Sequence, residues 1–288
     1  MLFAIFDPES PPLREYLGEV TWYLDVFFDR REGGIEVIGG MHKWVIPCNW
    51  KFPAENFSGD SYHVPWSHLS AIRIGFSFGA NTRPEAAGRI VSPGNGHAIV
   101  CVGPNDMTEP PMPEILAYEQ EIRSEVEKRL GPRMGLVSPI VGTLFPNFSL
   151  LRAGSRTFRV WHPRGARQDR SLVVGLCRQG RPAACQGSDP VGRHAGLRPL
   201  PLLRAGMDNW QECTRACRGA VSRRSFLNTQ MGLGHERFDH YLDAWASDFR
   251  MSKSNHRQFH RRWAQLMAAE RWKQVPSGDA NGGCEAAT

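Results

Sequence analysis

The stretch NWKFPAENFSGDSYHVPWSHL, residues 49–69, decides how the rest of the chain is interpreted. It holds two histidines, His63 and His68, with four residues between them, and the carboxylate of Asp60 lies three residues before the first. Residues five apart on one regular helix share a face only partly, so the pair predicts a metal site at a bend or a loosened turn. Imidazole suits iron, zinc or copper, and two histidines with one distant carboxylate leave open positions on a non-haem iron. An arbitrary pair of histidines is more often plain surface or core.

The composition sets limits on the class of protein. A chain of 288 residues can form one domain with a sizeable core or two small ones. No run of about 18 apolar residues occurs, so no membrane span is expected, and the N-terminus lacks the basic region and cleavage site of a signal peptide. The seven cysteines are scattered, which predicts a reducing cytoplasm. Cys213 and Cys217 lie four residues apart on an expected helix, where ordinary helix-face positions are favoured over a metal pair.

The net charge of +6 does not indicate a nucleic-acid partner. Ala166–Gly206 holds seven arginines against two aspartates, and the rest of the chain carries 28 basic and 27 acidic side chains. The excess therefore belongs to one segment and forms no general binding face.

The residues around the two histidines carry a long pattern, Asn-Trp-Lys, Glu-Asn-Phe, Gly-Asp and Tyr-His, followed by the second histidine. This pattern closely resembles the mononuclear-iron motif of the Rieske-type aromatic-ring-hydroxylating dioxygenases, large (alpha) subunit. The resemblance implies that His63 and His68 bind Fe(II), with further partners fixing their tautomers. It also implies that Asp60 contacts the histidines and passes electrons from the Rieske centre of a neighbouring subunit, and that Asn56 lies close to the iron.

The same resemblance suggests residues for the wall of a substrate pocket, each of which is also compatible with a plain core position. They are Phe57, Val64, Trp66, Leu69, Phe145 and Phe148.

The resemblance further implies an α+β fold of the helix-grip type, in which an antiparallel sheet curves over a long C-terminal helix with the mononuclear iron between them. The implied reaction is cis-dihydroxylation of an aromatic hydrocarbon by O2, with electrons from NADH delivered through a reductase and a ferredoxin. A small beta subunit is an implied partner, in a trimeric alpha or an alpha3beta3 assembly.

The domain organisation follows from the same comparison. A Rieske domain carries Cys-x-His and Cys-x-x-His pairs for its [2Fe–2S] cluster, and no such pairs occur in this sequence. Residues 1–48 are therefore interpreted as a remnant of the junction with a missing Rieske domain, 49–275 as the catalytic domain and 276–288 as a disordered tail.

Two other functions stay open at this point. One is a non-catalytic module that binds hydrophobic ligands, because the helix-grip fold also serves as a carrier. The other is a zinc hydrolase using His63 and His68, which is disfavoured because the chain has no HExxH-type helix and no third ligand nearby. Metal content separates the dioxygenase from the carrier, and metal identity separates it from the hydrolase.

The segment Ala166–Gly206 does not fit the rest of the sequence. Its 41 residues contain no Phe, Tyr, Trp, Ile, Lys or Glu, whereas the other 247 residues contain 29 aromatics. When Arg167–Gln179 is encoded with allowed codons and read one base later, it becomes Asp-Lys-Ile-Glu-Val-Trp-Ser-Trp-Ala-Cys-Val-Asp-Lys, which alternates like a strand and resembles the family. We interpret the segment as out of frame, with one base gained near Gly165 and one lost near Met207. The sheet is then expected to lack a strand and to expose an edge.

The shifted segment also removes a ligand. In the family, the third iron ligand is an aspartate three residues before the Asn of an Asn-Trp-like pair; here Asn209 and Trp210 are present, but that position is Gly206. Asp208 is the nearest carboxylate, and it points about 200° away if the stretch is helical. Asp208 is thus the predicted substitute ligand, and weak iron binding is expected.

Local patterns predict the main elements. The predicted helices are a stretch ending at Asp29, Glu114–Leu130, Asn209–Val221 and Glu236–Ala268. The predicted strands are a short one at Phe3–Phe6, two within Gly33–Phe52, one at His97–Gly103, and a hairpin of Gly142–Leu151 with Thr157–Gly165.

Overall fold

A computed structural model describes residues 3–67, 88–102, 113–135, 137–153, 155–165, 168–178, 209–217 and 228–276. Its centre is a nine-stranded sheet in which all neighbouring strands are antiparallel. The strands are β1 (Ile35–Ile46), β2 (Gly88–Ser92), β3 (Ala98–Val102), β4 (Ser138–Leu144), β5 (Phe148–Ala153), β6 (Ser155–Pro163), β7 (Asp169–Arg178), β8 (Glu236–Asp239) and β9 (Ala244–Ser247). Their order across the sheet is β1-β7-β6-β5-β4-β3-β2-β9-β8.

Eight α-helices accompany the sheet in the described ranges, together with three short 3₁₀ turns. The helices are α1 (Leu13–Leu17), α2 (Val20–Phe28), α3 (Lys51–Gly59), α4 (Val64–Ser67), α5 (Pro113–Glu121), α6 (Arg123–Leu130), α7 (residues 209–217) and α8 (Ser254–Ala268). The 3₁₀ turns are Ser61–His63, Pro132–Gly135 and Trp272–Gln274. No described helix is long and apolar enough to cross a membrane.

The sheet separates two helical layers. On one face, Tyr23 and Phe27 of α2 pack in a buried cluster with Ile99 and Leu150 of the strands, and α5 and α6 pack against α2. On the other face, α3 and α8 bury a second cluster that includes Trp161 of β6. Successive side chains of a strand point to opposite faces, so residues of one strand serve both clusters.

Several predicted elements differ from the structure. The helix predicted for Glu114–Leu130 is interrupted at Ile122, and the strand predicted at Phe3–Phe6 is wrong because residues 3–5 have no regular structure. The two strands predicted within Gly33–Phe52 are one strand, β1, whose register shifts between Ile38 and His42 at the glycines. The largest error lies in the helix predicted for Glu236–Ala268: its first part is the hairpin β8–β9, because β9 pairs with β2, and only α8 is helical.

The structure also forms a strand in the anomalous segment. β7 (Asp169–Arg178) lies between β1 and β6 and pairs with both. The expectation that the sheet lacks this strand is therefore wrong for the sequence as written. Residues 179–206 lie outside the described residues.

Candidate metal centre

Helix α3 carries the first half of the motif and is fastened to both the sheet and α8. The Thr143 hydroxyl of β4 donates to the Ala54 carbonyl at 2.8 Å, and the Asn255 amide of α8 donates to the Ser58 carbonyl at 2.7 Å. Asn255 also accepts from the Ser92 hydroxyl at 2.6 Å, so one buried side chain joins α3, α8 and β2. A Cβ on Gly59 would lie 3.1 Å from the Asn255 Cβ, which is why this close approach favours glycine.

Three residues of the motif meet where α3 ends. The Asn56 amide donates to Asp60 Oδ2 at 2.9 Å, and the Asp60 Oδ1 lies 3.5 Å from His63 Nδ1. His63 Nδ1 also hydrogen-bonds the Asp60 backbone carbonyl. The 3₁₀ turn Ser61–His63 brings the imidazole back over the end of the helix, in agreement with the predicted loosened turn.

This contact shifts both groups toward their charged forms. Burial raises the pKa of the Asp60 carboxyl, but the hydrogen bond and the charge of His63 outweigh burial and bring the pKa below its usual value. Burial lowers the pKa of His63, but the hydrogen bond to Asp60 and the charge of Asp60 outweigh the effect of burial, so the pKa lies above its usual value.

Of the implied iron ligands, the described residues include only His63. Its Nδ1 is held by Asp60, which leaves Nε2 as the nitrogen suited to bind a metal, an arrangement usual for metal-binding histidines. His63 therefore fits an iron ligand. His68 and Asp208 lie outside the described residues, and within the described ranges no group of three or more His, Cys, Asp or Glu side chains could hold a metal. Cys213 and Cys217 are exposed, free thiols on α7.

The predicted pocket residues fall into separate places. Phe57 and Phe145 belong to the cluster beneath α3, where Phe57 contacts Trp161 with ring centroids 5.5 Å apart. Phe148 points to the opposite face and packs on Phe158, so the structure does not bring it to this cluster. Val64 is half-buried in α4. Only the backbone of Trp66 is described, and Leu69 lies outside the described residues.

A second polar group adjoins the motif and was not predicted. Glu55 of α3 accepts a hydrogen bond from His260 Nε2 at 3.0 Å, and the His256 Nε2 donates to the Glu55 carbonyl at 3.2 Å. The Tyr62 hydroxyl lies 3.5 Å from His256 Nδ1 and so links this group to the residues next to His63. Burial opposes ionisation of Glu55, yet the two histidines lower its pKa. The sequence signal that could have indicated this group is the spacing of His256 and His260, which lie four residues apart and therefore on one face of a helix.

A buried arginine lies on the same face of the sheet. Arg159 of β6 is 4% exposed, and its guanidinium carbon sits 4.5 Å from the centre of the Phe57 ring. Its Nη1 has no hydrogen-bond acceptor among the described residues. Burial lowers its pKa to about 10. Trp161, two residues further along the strand, contacts Trp210 of α7 at 5.7 Å between ring centroids.

Comparison with known proteins gives consistent matches. Residues 13–182 match the family model described as the ring hydroxylating alpha subunit, catalytic domain. The chain is 29% identical over 288 residues to the large oxygenase component of the naphthalene 1,2-dioxygenase system of Pseudomonas putida. This alignment covers 95% of the present chain and 63% of that protein. It is 30% identical over 290 residues to biphenyl 2,3-dioxygenase subunit alpha of Rhodococcus jostii strain RHA1, covering 94% of this chain and 62% of that protein.

Solved structures agree. A naphthalene 1,2-dioxygenase with indole bound in its active site superposes with a TM-score of 0.82 at 27% identity, covering 96% of this chain and 64% of the other. The enzyme from Rhodococcus sp. bound to indole gives a TM-score of 0.78 at 28% identity, covering 92% and 63% of the two chains. The present chain thus spans about 63% of the length of the curated relatives it matches.

Proposed function

Because the chain belongs to the family of ring-hydroxylating alpha subunits, whose catalytic-domain model matches residues 13–182, we propose that it is the catalytic domain of an aromatic-ring-hydroxylating dioxygenase. The proposed reaction is cis-dihydroxylation of an aromatic hydrocarbon with O2 and electrons that originate from NADH. The observation that carries the proposal is the joined Asn56–Asp60–His63 group, which holds Nδ1 of a family-motif histidine and orients its other nitrogen. Nothing in the described residues or in the relatives favours the hydrophobic-ligand carrier.

The proposed iron site uses His63 and His68, with Asp208 as the substitute for the missing carboxylate. Iron, when bound, supplies the reductive activation of dioxygen. His63 would bind through Nε2, because Nδ1 is engaged by Asp60. Asn56 orients the Asp60 carboxylate through its amide. Asp60 would thereby keep the imidazole in one tautomer and lie on the path of the incoming electrons.

The proposed substrate side of the site is the aromatic cluster beneath α3. Phe57 and Phe145 are the best-placed wall residues, because both lie in the cluster that includes Trp161 and Phe259. Such walls exclude water and favour flat, apolar rings. Val64, Trp66 and Leu69 remain proposed wall residues.

The proposed architecture is of the helix-grip type, with α8 as the gripped C-terminal helix; the contacts of α8 with α3 and β2 support this. Proposed partners are a small beta subunit, a ferredoxin and its reductase, in a trimeric alpha or alpha3beta3 assembly, and the proposed location is the cytoplasm. A [2Fe–2S] cluster would belong to the intact family member.

We further propose that Ala166–Gly206 is an out-of-frame version of the family sequence and that Gly206 has replaced the carboxylate ligand. The experiment compares iron content in the chain as written with that in a version carrying the shifted-frame segment and Gly206→Asp. About one iron per restored chain is expected. The written chain is expected to bind iron at least about tenfold more weakly, because the loss of an orienting partner alone costs about 10–100-fold and a direct ligand contributes at least as much.

Two substitutions in the restored chain control this comparison. His63→Ala is expected to abolish iron binding, whereas His162→Ala, which removes an exposed histidine of β6, leaves it unchanged. Full iron occupancy in the written chain would show that another carboxylate serves and would overturn the damaged-site hypothesis. Iron retained by His63→Ala would overturn the proposed function itself.

A further inference from the structure

The first turn of helix α8 contacts the segment that carries His63. His256 of α8 is 2% exposed, and its Nε2 donates to the backbone carbonyl of Glu55 in α3 at 3.2 Å. Its Nδ1 lies 3.5 Å from the hydroxyl of Tyr62, and the two rings meet edge to face with their centroids 6.1 Å apart. One buried side chain of α8 thus contacts both the helix before His63 and the residue next to it.

The partners of His256 determine which of its nitrogens carries the proton. A backbone carbonyl only accepts, so Nε2 carries the proton of the neutral imidazole and Nδ1 is left as an acceptor. Burial is the main cause that lowers the pKa of His256, and this keeps the ring neutral at pH 7. The Tyr62 hydroxyl is therefore the donor in its contact with Nδ1.

A second residue at the start of α8 holds the Tyr62 ring. The ammonium group of Lys253 lies 5.5 Å from the centre of this ring, within the range of a cation–π contact. The same ammonium donates to the Asn228 carbonyl at 3.1 Å, so its position is fixed from the other side. Tyr62 belongs to the 3₁₀ turn Ser61–His63. The hydrogen bonds of such a turn have poorer geometry than those of an α-helix, so contacts from α8 limit its movement and the direction of the His63 side chain.

We propose that His256 is a positioning residue for the candidate metal centre. It accepts from the Tyr62 hydroxyl and thereby holds the turn that ends at His63 in the orientation that binds iron. The inference rests on the proposed function, because it takes His63 as an iron ligand. It assigns a role in the site to a residue that lies 194 positions after Tyr62 and outside the motif.

The test measures the dissociation constant of Fe(II) in the restored chain by competition with a chelator, with the melting temperature measured in parallel. His256→Gln keeps a donor near the Glu55 carbonyl but removes the acceptor at the Nδ1 position. This variant is expected to bind Fe(II) about tenfold more weakly, because partners that orient a metal-binding histidine contribute about 10–100-fold. The shorter amide of His256→Asn places its oxygen near the Nδ1 position, so this variant is expected to retain most of the affinity.

Tyr62→Phe removes the donor of the same contact and keeps the ring. Because both substitutions remove one shared contact, the double variant His256→Gln, Tyr62→Phe is expected to bind Fe(II) no more weakly than His256→Gln alone. Tyr62→Phe also tests the contact by itself if His256→Gln does not fold. An affinity of Tyr62→Phe equal to that of the restored chain would then overturn the inference.

His260→Gln is the matched control, because His260 lies on the same helix and contacts the Glu55 carboxylate at 3.0 Å rather than Tyr62. This variant is expected to bind Fe(II) as the restored chain does. Unchanged affinity in His256→Gln, or an equal loss in His260→Gln, would overturn the inference and leave the proposed function standing. A restored chain that binds no iron, or that keeps its iron in His63→Ala, would overturn the proposed function and this inference with it.

Discussion

At the scale of single residues, His97 is a buried imidazole with both nitrogens in use. Its Nε2 donates to the Tyr16 carbonyl at 3.0 Å, and its Nδ1 accepts from the Phe145 backbone N–H at 3.0 Å. Protonation of Nδ1 would make it a hydrogen-bond donor, and its N–H would then face the N–H of Phe145 with no acceptor between them. Burial is the main cause that lowers the pKa of His97 from 6.5 to about 4; the Tyr16 carbonyl opposes the shift and the charge of Arg262 adds to it.

This pKa predicts an acid-sensitive contribution to stability. The folded state binds the proton less readily than the unfolded state, so the contribution is complete above pH 6.5 and is lost as the pH falls toward 4. The loss amounts to about 3 kcal/mol across that window. His97→Gln removes the titrating group, so the stability advantage of the unchanged chain over this variant is expected to shrink between pH 7 and pH 4.5 in urea unfolding. An advantage that stays constant with pH would contradict the assignment.

Arg159 gives a second prediction at this scale. It is a buried cation that stacks on Phe57 and has a donor without an acceptor in the described part of the chain. Arg159→Met is expected to raise the free energy of unfolding by about 1–3 kcal/mol, because an apolar side chain avoids the cost of the buried charge. Arg159→Lys retains the charge and is expected to give no gain. A loss of several kcal/mol in Arg159→Met would mean that the guanidinium has a carboxylate partner in residues outside the described ranges.

At the scale of elements, β7 is a strand that was not predicted for the sequence as written, because its residues belong to the anomalous segment. Val173 pairs with His42 on one side and with Arg159 on the other, so its backbone lies inside the sheet. Val173→Pro is expected to cost about 3 kcal/mol or more, because proline removes a ladder hydrogen bond. Val173→Ala keeps the N–H and serves as the control, with an expected cost of about 1 kcal/mol. Equal stabilities of the two variants would show that residues 169–178 do not pair as a strand.

Local sequence patterns predicted some elements correctly. They failed where pairing with a segment distant in sequence determines whether a stretch forms a helix or a strand. The strand β3 was predicted from a continuous apolar run after the turn residues 94–96, and the structure confirms it. The hairpin of β5 and β6 is confirmed too. Its first strand, predicted as Gly142–Leu151, is wrong in extent, because the chain turns at residues 145–147 and forms the two antiparallel strands β4 and β5. The stretch from Glu236 to Ser247 mixes both periodicities, and its pairing with β2, more than 140 residues away, selects the hairpin. Asp243 adopts a positive φ of 48° at the turn, which local sequence does not signal strongly.

At the scale of the whole molecule, the predictable part of the candidate site is the part that is contiguous in sequence. Asn56, Asp60 and His63 lie within one turn-and-helix segment, so their pattern identified the family, and the family match confirms it. The contacts of Glu55 with His256 and His260 join residues about 200 positions apart. No local pattern specifies such a contact, because it exists only after α3 and α8 pack together.

The outer strand of the sheet gives the last prediction. β1 lies at one end of the strand order and exposes Val37, Met41 and Val45, which are 58%, 50% and 53% exposed. An edge strand with exposed apolar side chains favours pairing with another chain. The chain is therefore expected to self-associate at about micromolar concentrations in sedimentation velocity. The double variant Val37→Lys, Val45→Lys is expected to sediment as a monomer, because charges on an edge strand oppose pairing.

Met267→Lys is the control, because it changes an apolar residue that is 68% exposed on α8, away from β1. This variant is expected to associate as the unchanged chain does if β1 is responsible. A monomeric unchanged chain, or a Met267→Lys variant that dissociates as fully as the β1 variant, would contradict the assignment of β1 as the associating edge.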